Sequence, residues 1–138
     1  MVVKRLSLLL ALGLGMTGSP AGAADYTLGV EAAMRQDYAT AFREFKELAD
    51  EGMAAAQFNL ALLYHHGRGV DVDVPAAIKY YTMAAKLGHA AAQNNLGSLY
   101  RRGEGIEQDY AKAAFYYEQA KDTVDVAKAN LAYMHRYG

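Results

Sequence analysis

The chain has 138 residues, enough for one domain, and its 53% apolar and 21% charged content with two prolines is that of a packed protein, not a disordered one. A net charge of -1 gives no whole-chain basis for holding nucleic acid. The absence of cysteine excludes disulfides, thiol nucleophiles and a lipid-modified cysteine anchor.

Residues 1–24 read as a secretory signal peptide. Lys4 and Arg5 supply a basic start, Leu6 to Met16 an apolar run, and Ser19-Pro20-Ala21-Gly22-Ala23-Ala24 small residues with a cleavage site after Ala23 or Ala24. The apolar run is shorter than the roughly 20 residues that span a bilayer, so no stable membrane insertion is expected after cleavage. The expected location is a periplasm or the exterior of the cell. Removal takes Lys4 and Arg5 from the 14 basic groups and none of the 15 acidic ones, so the net charge falls from -1 to -3.

From Asp25 onward one unit is spelled repeatedly. In the stretch 54–89, Ala56, Leu60, Leu63 and Tyr64 fall at 3.6-residue spacing and predict a helix from Ala54 to His66. Gly67 follows as a left-handed helix stop, Gly69 lets the chain turn, and Val70 is expected between the two helices. Asp73 or Val74 caps a second helix with Pro75 in its first turn and Ala77, Tyr80, Tyr81, Ala84 and Ala85 on one face, ending at Gly88. Shifted by about 36 residues, the same types return as Gln93, Asn95, Leu96, Leu99, Tyr100, Gly103, Gly105, Asp109, Ala113, Tyr116, Tyr117 and Ala120.

An earlier, degraded copy covers residues 25–53. Asp37-Tyr38, Ala41, Phe45, Ala49 and Gly52 match its second helix, and Tyr26 to Arg35 its first, without a Gly-x-Gly loop and hence with a tighter turn. After residues 90–125, a turn that reads as one residue shorter leads to a half-unit, 126–138, expected to cap the array with a polar outer face. The fold expected is all-α, an α/α solenoid of about three helix pairs plus a terminal capping helix.

The run Ala56-Gln57-x-Asn59-Leu60, with Tyr64, Gly67-x-Gly69, Asp73 and their copies from Ala92 to Asp109, resembles the Sel1-like repeat, a relative of the tetratricopeptide repeat. The resemblance implies a superhelix whose first helices line a concave face, and an adaptor that holds other proteins in signalling, secretion or envelope assembly. A cysteine-rich secreted branch is associated with penicillin-like compounds and weak lactamase activity, but its cysteines are missing here, so that chemistry is not carried over.

If the first helices line the groove, positions one step off the apolar stripe face it. These are Phe58, Leu62, His65 and His66, then Asn94, Ser98, Arg101 and Arg102, then Ala129, Tyr133, Arg136 and Tyr137. They also differ most between units, as a ligand face would. Arg101, Arg102 and Arg136, with His65, His66 and Arg68 nearby, make one end basic and suited to carboxylates, while Tyr133, Tyr137 and Phe58 suit apolar side chains. The expected partner is an envelope or secreted protein bound through an acidic segment or a free C-terminus. The alternative is that cations at helix C-termini only complement the dipole.

Adjacent histidines point about 100° apart, so His65 and His66 are not expected to chelate a metal. Most of the eleven tyrosines recur at repeat positions and read as core. Ser98 lacks a nucleophile elbow, and Glu44, Glu47, Asp50 and Glu51 read as a solvated face, so neither catalytic residues nor a cofactor are expected. The leading expectation is a non-enzymatic interaction module. A weak hydrolase of lactams or peptidoglycan fragments, a small-ligand or glycan-binding protein, and a homodimer through the terminal helices remain open on sequence alone.

Overall fold

In a computed structural model, residues 24–137 are described; the signal-peptide reading therefore lies, except for Ala24, outside the described residues. Among these there are seven helices and no strands: α1 (Tyr26–Met34), α2 (Tyr38–Asp50), α3 (Ala54–His66), α4 (Val74–Lys86), α5 (Ala90–Arg102), α6 (Tyr110–Ala120) and α7 (Asp125–Tyr137). None is long and apolar enough to cross a membrane.

Local chemistry sets the boundaries. Asp25, Asp37, Asp73 and Asp109 each cap a helix, their carboxylates accepting from the backbone N–H of Leu28, Thr40, Ala76 and Lys112 at 3.1, 3.2, 3.0 and 3.0 Å. Each such cap stabilises its helix by about 1 kcal/mol. Gly67 and Gly103 end α3 and α5 at φ 65° and 67°, a left-handed conformation that glycine adopts without a Cβ clash. The first pair does have the tighter turn: three residues join α1 to α2, against seven between α3 and α4, with Gln36 taking the positive φ of 63°.

Adjacent helices pack in sequence, as a solenoid requires. In the first and third pairs the second helix drives one large ring against a glycine of the first. Phe45 lies over Gly29 and Tyr117 over Gly97, so closely that a Cβ added at either glycine would stand 2.7 and 2.8 Å from the ring. Ala41, Ala77 and Ala113, at the matching place in each second helix, are fully buried, as are Leu60 and Leu96. One buried amide bolts each full unit to the turn before it: Gln57 Nε2 donates to the Ala49 carbonyl and Gln93 Nε2 to the Ala85 carbonyl, both at 3.1 Å.

Two expectations are corrected. Residue-for-residue the last full unit is shorter, but the loss falls in the helix: α6 stops at Ala120, and four residues lead to α7 where three link α4 to α5. No glycine is available there for a left-handed stop. Instead the N–H groups of Thr123 and Val124 both close on the Ala120 carbonyl, at 3.0 and 2.9 Å. Next, Glu44 does not belong to the solvated face, whereas Asp50 is exposed as expected but holds a partner on the next unit. Glu44 is 8% exposed and accepts the Asp25 backbone N–H at 2.9 Å, tying α1 to α2, while Asp50 accepts the Tyr80 hydroxyl at 2.9 Å. α7 also exposes Val126, Tyr133 and Tyr137, the two tyrosines on the side that meets Arg101 and Arg102 of α5.

Candidate functional site

The ends of the first helices carry the variable side chains, and the repeat geometry gives those side chains different tasks in successive units. At the end of α3, His65 turns inward: Nδ1 lies 3.3 Å from the Tyr81 hydroxyl and Nε2 2.9 Å from Glu104 Oε1. Burial pushes the Tyr81 hydroxyl up to about 12, so it remains protonated at neutral pH. One unit later Arg101 stands in the place of His65 and makes the corresponding contact, its Nε donating to the Tyr117 hydroxyl at 3.4 Å. The rest of its guanidinium lies 5.8 Å over the Tyr133 ring.

Arg101, Arg102, Tyr133 and Tyr137 come together around a cavity of about 300 Å³, bordered also by Gln108, Tyr110 and Met134. A second, more open hollow of about 420 Å³ adjoins it between Arg101, Ala129, Asn130 and Tyr133. Tyr133 and Tyr137 pair at 4.9 Å between ring centroids and, like Tyr110, are exposed. Arg136 is exposed beside this wall, 6.0 Å over the Tyr137 ring, without lining the cavity.

Of the remaining expected groove residues, all but the exposed His66 are engaged in packing or hydrogen bonds within the fold. Phe58 stacks on His89 at 4.6 Å, Leu62 packs on the core, and Ser98 shares a hydrogen bond of 2.9 Å with the Tyr117 hydroxyl. Asn94 accepts from Asn130 Nδ2 at 3.2 Å, so it links α5 to α7. His66 is exposed and stacks on His65; desolvation, then His65 and Arg68, hold it below its usual value and hence neutral at pH 7. The basic end is also less uniform than its sequence implies. Arg68 lies over the Tyr38 ring, away from Arg101, and Glu104 places a carboxylate between His65 and Arg102, 2.9 Å from each. Among the described residues no group of three or more metal-ligating side chains converges.

Gln108, Tyr110 and Met134 lie outside the expected groove, because that expectation draws on the exposed side of first helices and these stand before α6, at its start, and on the core side of α7. Tyr110 carries the same signal as the others: it aligns with Tyr38 and Val74, a position that varies between units.

A family model described as Sel1 repeat matches residues 54–89, 90–122 and 125–138, which is most of the chain. The chain belongs to the Sel1 repeat family. Among solved structures, it is similar to a Sel1 repeat protein from Oxalobacter formigenes, with a TM-score of 0.72 and 30% identity over 88% of this chain and 52% of that one. It is also similar to a protective antigen with an SLR fold from uropathogenic Escherichia coli, with a TM-score of 0.74 and 33% identity over 79% of this chain and 24% of that one. Both bear out the α-solenoid. Curated relatives include the mouse DAP3-binding cell death enhancer 1, 43% identical over 51 residues, 37% of this chain and 10% of that protein. The chitin synthase regulator SKT5 of Saccharomyces cerevisiae is 39% identical over 59 residues, 43% of this chain and 8% of that protein. The match thus spans about a tenth of the length of these curated relatives.

Proposed function

We propose that this Sel1 array is an exported, non-enzymatic interaction module that binds a segment of an envelope or secreted protein at the surface formed by Arg101, Arg102, Tyr133 and Tyr137. One observation carries the reading: residues repeated between units form the core, while these four, which differ between units, converge on a cavity with cationic and aromatic walls. Arginine guanidinium and exposed tyrosine rings are the side chains that concentrate binding energy at protein interfaces. The non-enzymatic part is supported by the missing cysteine and by Ser98, whose hydroxyl is committed to Tyr117. Export is supported by the basic, apolar and small-residue regions of residues 1–24. The DAP3-binding relative lends the binding role an analogy and no partner.

The test is crosslinking in living cells from a photoreactive residue at Tyr133, with the same probe at the exposed Glu47 on α2 as the off-site control. One dominant protein adduct from Tyr133 and none from Glu47 is expected. Equal adducts from both positions, or none from Tyr133, would overturn the assignment of the surface.

A further inference from the structure

The cavity between Arg101 and Tyr110 lies where, in the earlier units, this chain seats one of its own loops. After α3 comes Gly67-Arg68-Gly69, which rests on the start of α2. The Arg68 guanidinium is 5.4 Å over the Tyr38 ring, and a Cβ at Gly69 would stand 2.3 Å from the Tyr38 carbonyl oxygen. After α5 comes Gly103-Glu104-Gly105, which rests on the start of α4. There a Cβ at Gly105 would stand 2.3 Å from Val74 Cγ1, and the Glu104 carboxylate meets His65 at the end of α3.

The seat therefore has two parts. In the later seat the last turn of a first helix receives the side chain in the middle of the loop, whereas in the earlier one the Tyr38 ring receives it; in both, the first residue of the second helix receives the second glycine. In the third unit the corresponding residues are Arg101, aligned with His65, and Tyr110, aligned with Tyr38 and Val74. Both border the cavity of about 300 Å³, with Tyr133 and Tyr137 on its other wall.

We propose that this cavity binds a glycine-flanked acidic turn, Gly-Glu-Gly or Gly-Asp-Gly, presented by the partner protein. The acidic side chain lies on Arg101, and the second glycine packs its backbone against Tyr110. The seat one unit earlier shows the arrangement with His65 in place of Arg101, and the fixed positive charge of arginine makes the preference for a carboxylate stronger. Of the two Gly-x-Gly turns in the described residues, one carries Arg68, which has the wrong sign, and the other is already seated on His65 and Val74. A second copy of this chain is therefore a poor source, and a different protein the better one. This inference rests on the binding role proposed above and specifies its ligand.

The probe is a capped peptide containing Gly-Glu-Gly-Ile, the run found here at 103–106, titrated into the isotopically labelled protein and followed by NMR. A short peptide should bind in the millimolar range, moving signals of Arg101, Tyr110, Tyr133 and Tyr137, and a Gly-Gln-Gly-Ile twin should bind at least tenfold more weakly. Arg101→Gln should remove the difference between the two peptides and Arg101→Lys should restore part of it. Since Arg101 also touches the Tyr117 hydroxyl, its variants are compared at equal folded fraction. Tyr110→Ala, outside the core, provides an independent loss of binding. Equal affinity for the two peptides, shifts centred elsewhere, or no shifts through the millimolar range would each overturn the inference. A Tyr133 adduct mapping to a partner segment without such a turn would overturn it too, while leaving the binding role intact. Absence of an adduct would instead strike the binding role, with the peptide titration still deciding the chemistry of the cavity.

Discussion

The imidazole of His65 and the carboxylate of Glu104, 39 residues apart in sequence, stand 2.9 Å from each other and fasten the second repeat to the third. The hydrogen bond from His65, then the charge of nearby Arg102, hold the Glu104 carboxyl below its ordinary value of 4.5. A lowered carboxyl contributes stability above its unfolded value and loses that contribution as pH falls through the folded one. Glu104→Gln should therefore be less stable than the parent at neutral pH, with the difference closing as the pH falls below the ordinary glutamate range. The side chain is 41% exposed, so solvent screening limits the effect to about 0.5–1 kcal/mol. Thermal melts of both proteins across the acidic range measure it, and parallel curves would be the contrary result.

Leu96, fully buried in α5, contacts the middle of the array. Leu96→Ala should lose about 2–5 kcal/mol in denaturant unfolding, because the neighbouring units collapse only partly into the space left. Glu107→Ala, exposed in the loop, should stay within about 0.5 kcal/mol of the parent.

Gly69 and Gly88 separate two costs of adding a side chain. Both have positive φ, 72° and 86°, but a Cβ at Gly88 meets nothing within 4 Å whereas one at Gly69 meets the Tyr38 carbonyl oxygen at 2.3 Å. Gly88→Ala should cost about 1–2 kcal/mol for the left-handed backbone alone. Gly69→Ala should cost distinctly more, since the loop must lift off α2 as well; equal melting temperatures would show that the loop is not seated there.

Glu44→Ala should destabilise by about 1.5–3 kcal/mol, the scale of a hydrogen bond to a charged group. It leaves the Asp25 N–H without its acceptor at the entry to α1. Amide exchange should accelerate first in α1, while Glu44→Gln, which still offers an oxygen, should keep most of the protection.

Much of the fold was legible because its determinants are periodic. Leu60 and Leu96, Tyr81 and Tyr117, Gly67 and Gly103 occupy equal places in successive units and do equal work, so a single shift of the sequence shows both helices and both stops. What escaped is what the repeat does not copy. Glu44 looks solvated in a run with Glu47 and Asp50, and its bond to the Asp25 N–H has no counterpart in the later units that would reveal it. The end of α6 depends on Thr123 and Val124, which replace the usual glycine stop. Within the site, Arg101, Arg102, Tyr133 and Tyr137 were found by their variability. Tyr110 opens a second helix, so a reading of first helices alone does not reach it, and it joins Arg101 only across the cavity.

The amide bolts of Gln57 and Gln93 fail to recur at the last boundary, where exposed Lys128 holds their place on α7. Stretched from its two ends, the array is thus a graded spring, and α7 should be the first coil to come away. The element that yields earliest is also the one that carries Tyr133, Arg136 and Tyr137. Occupying the adjoining cavity would then stiffen the coil and raise the force at which the spring begins to open.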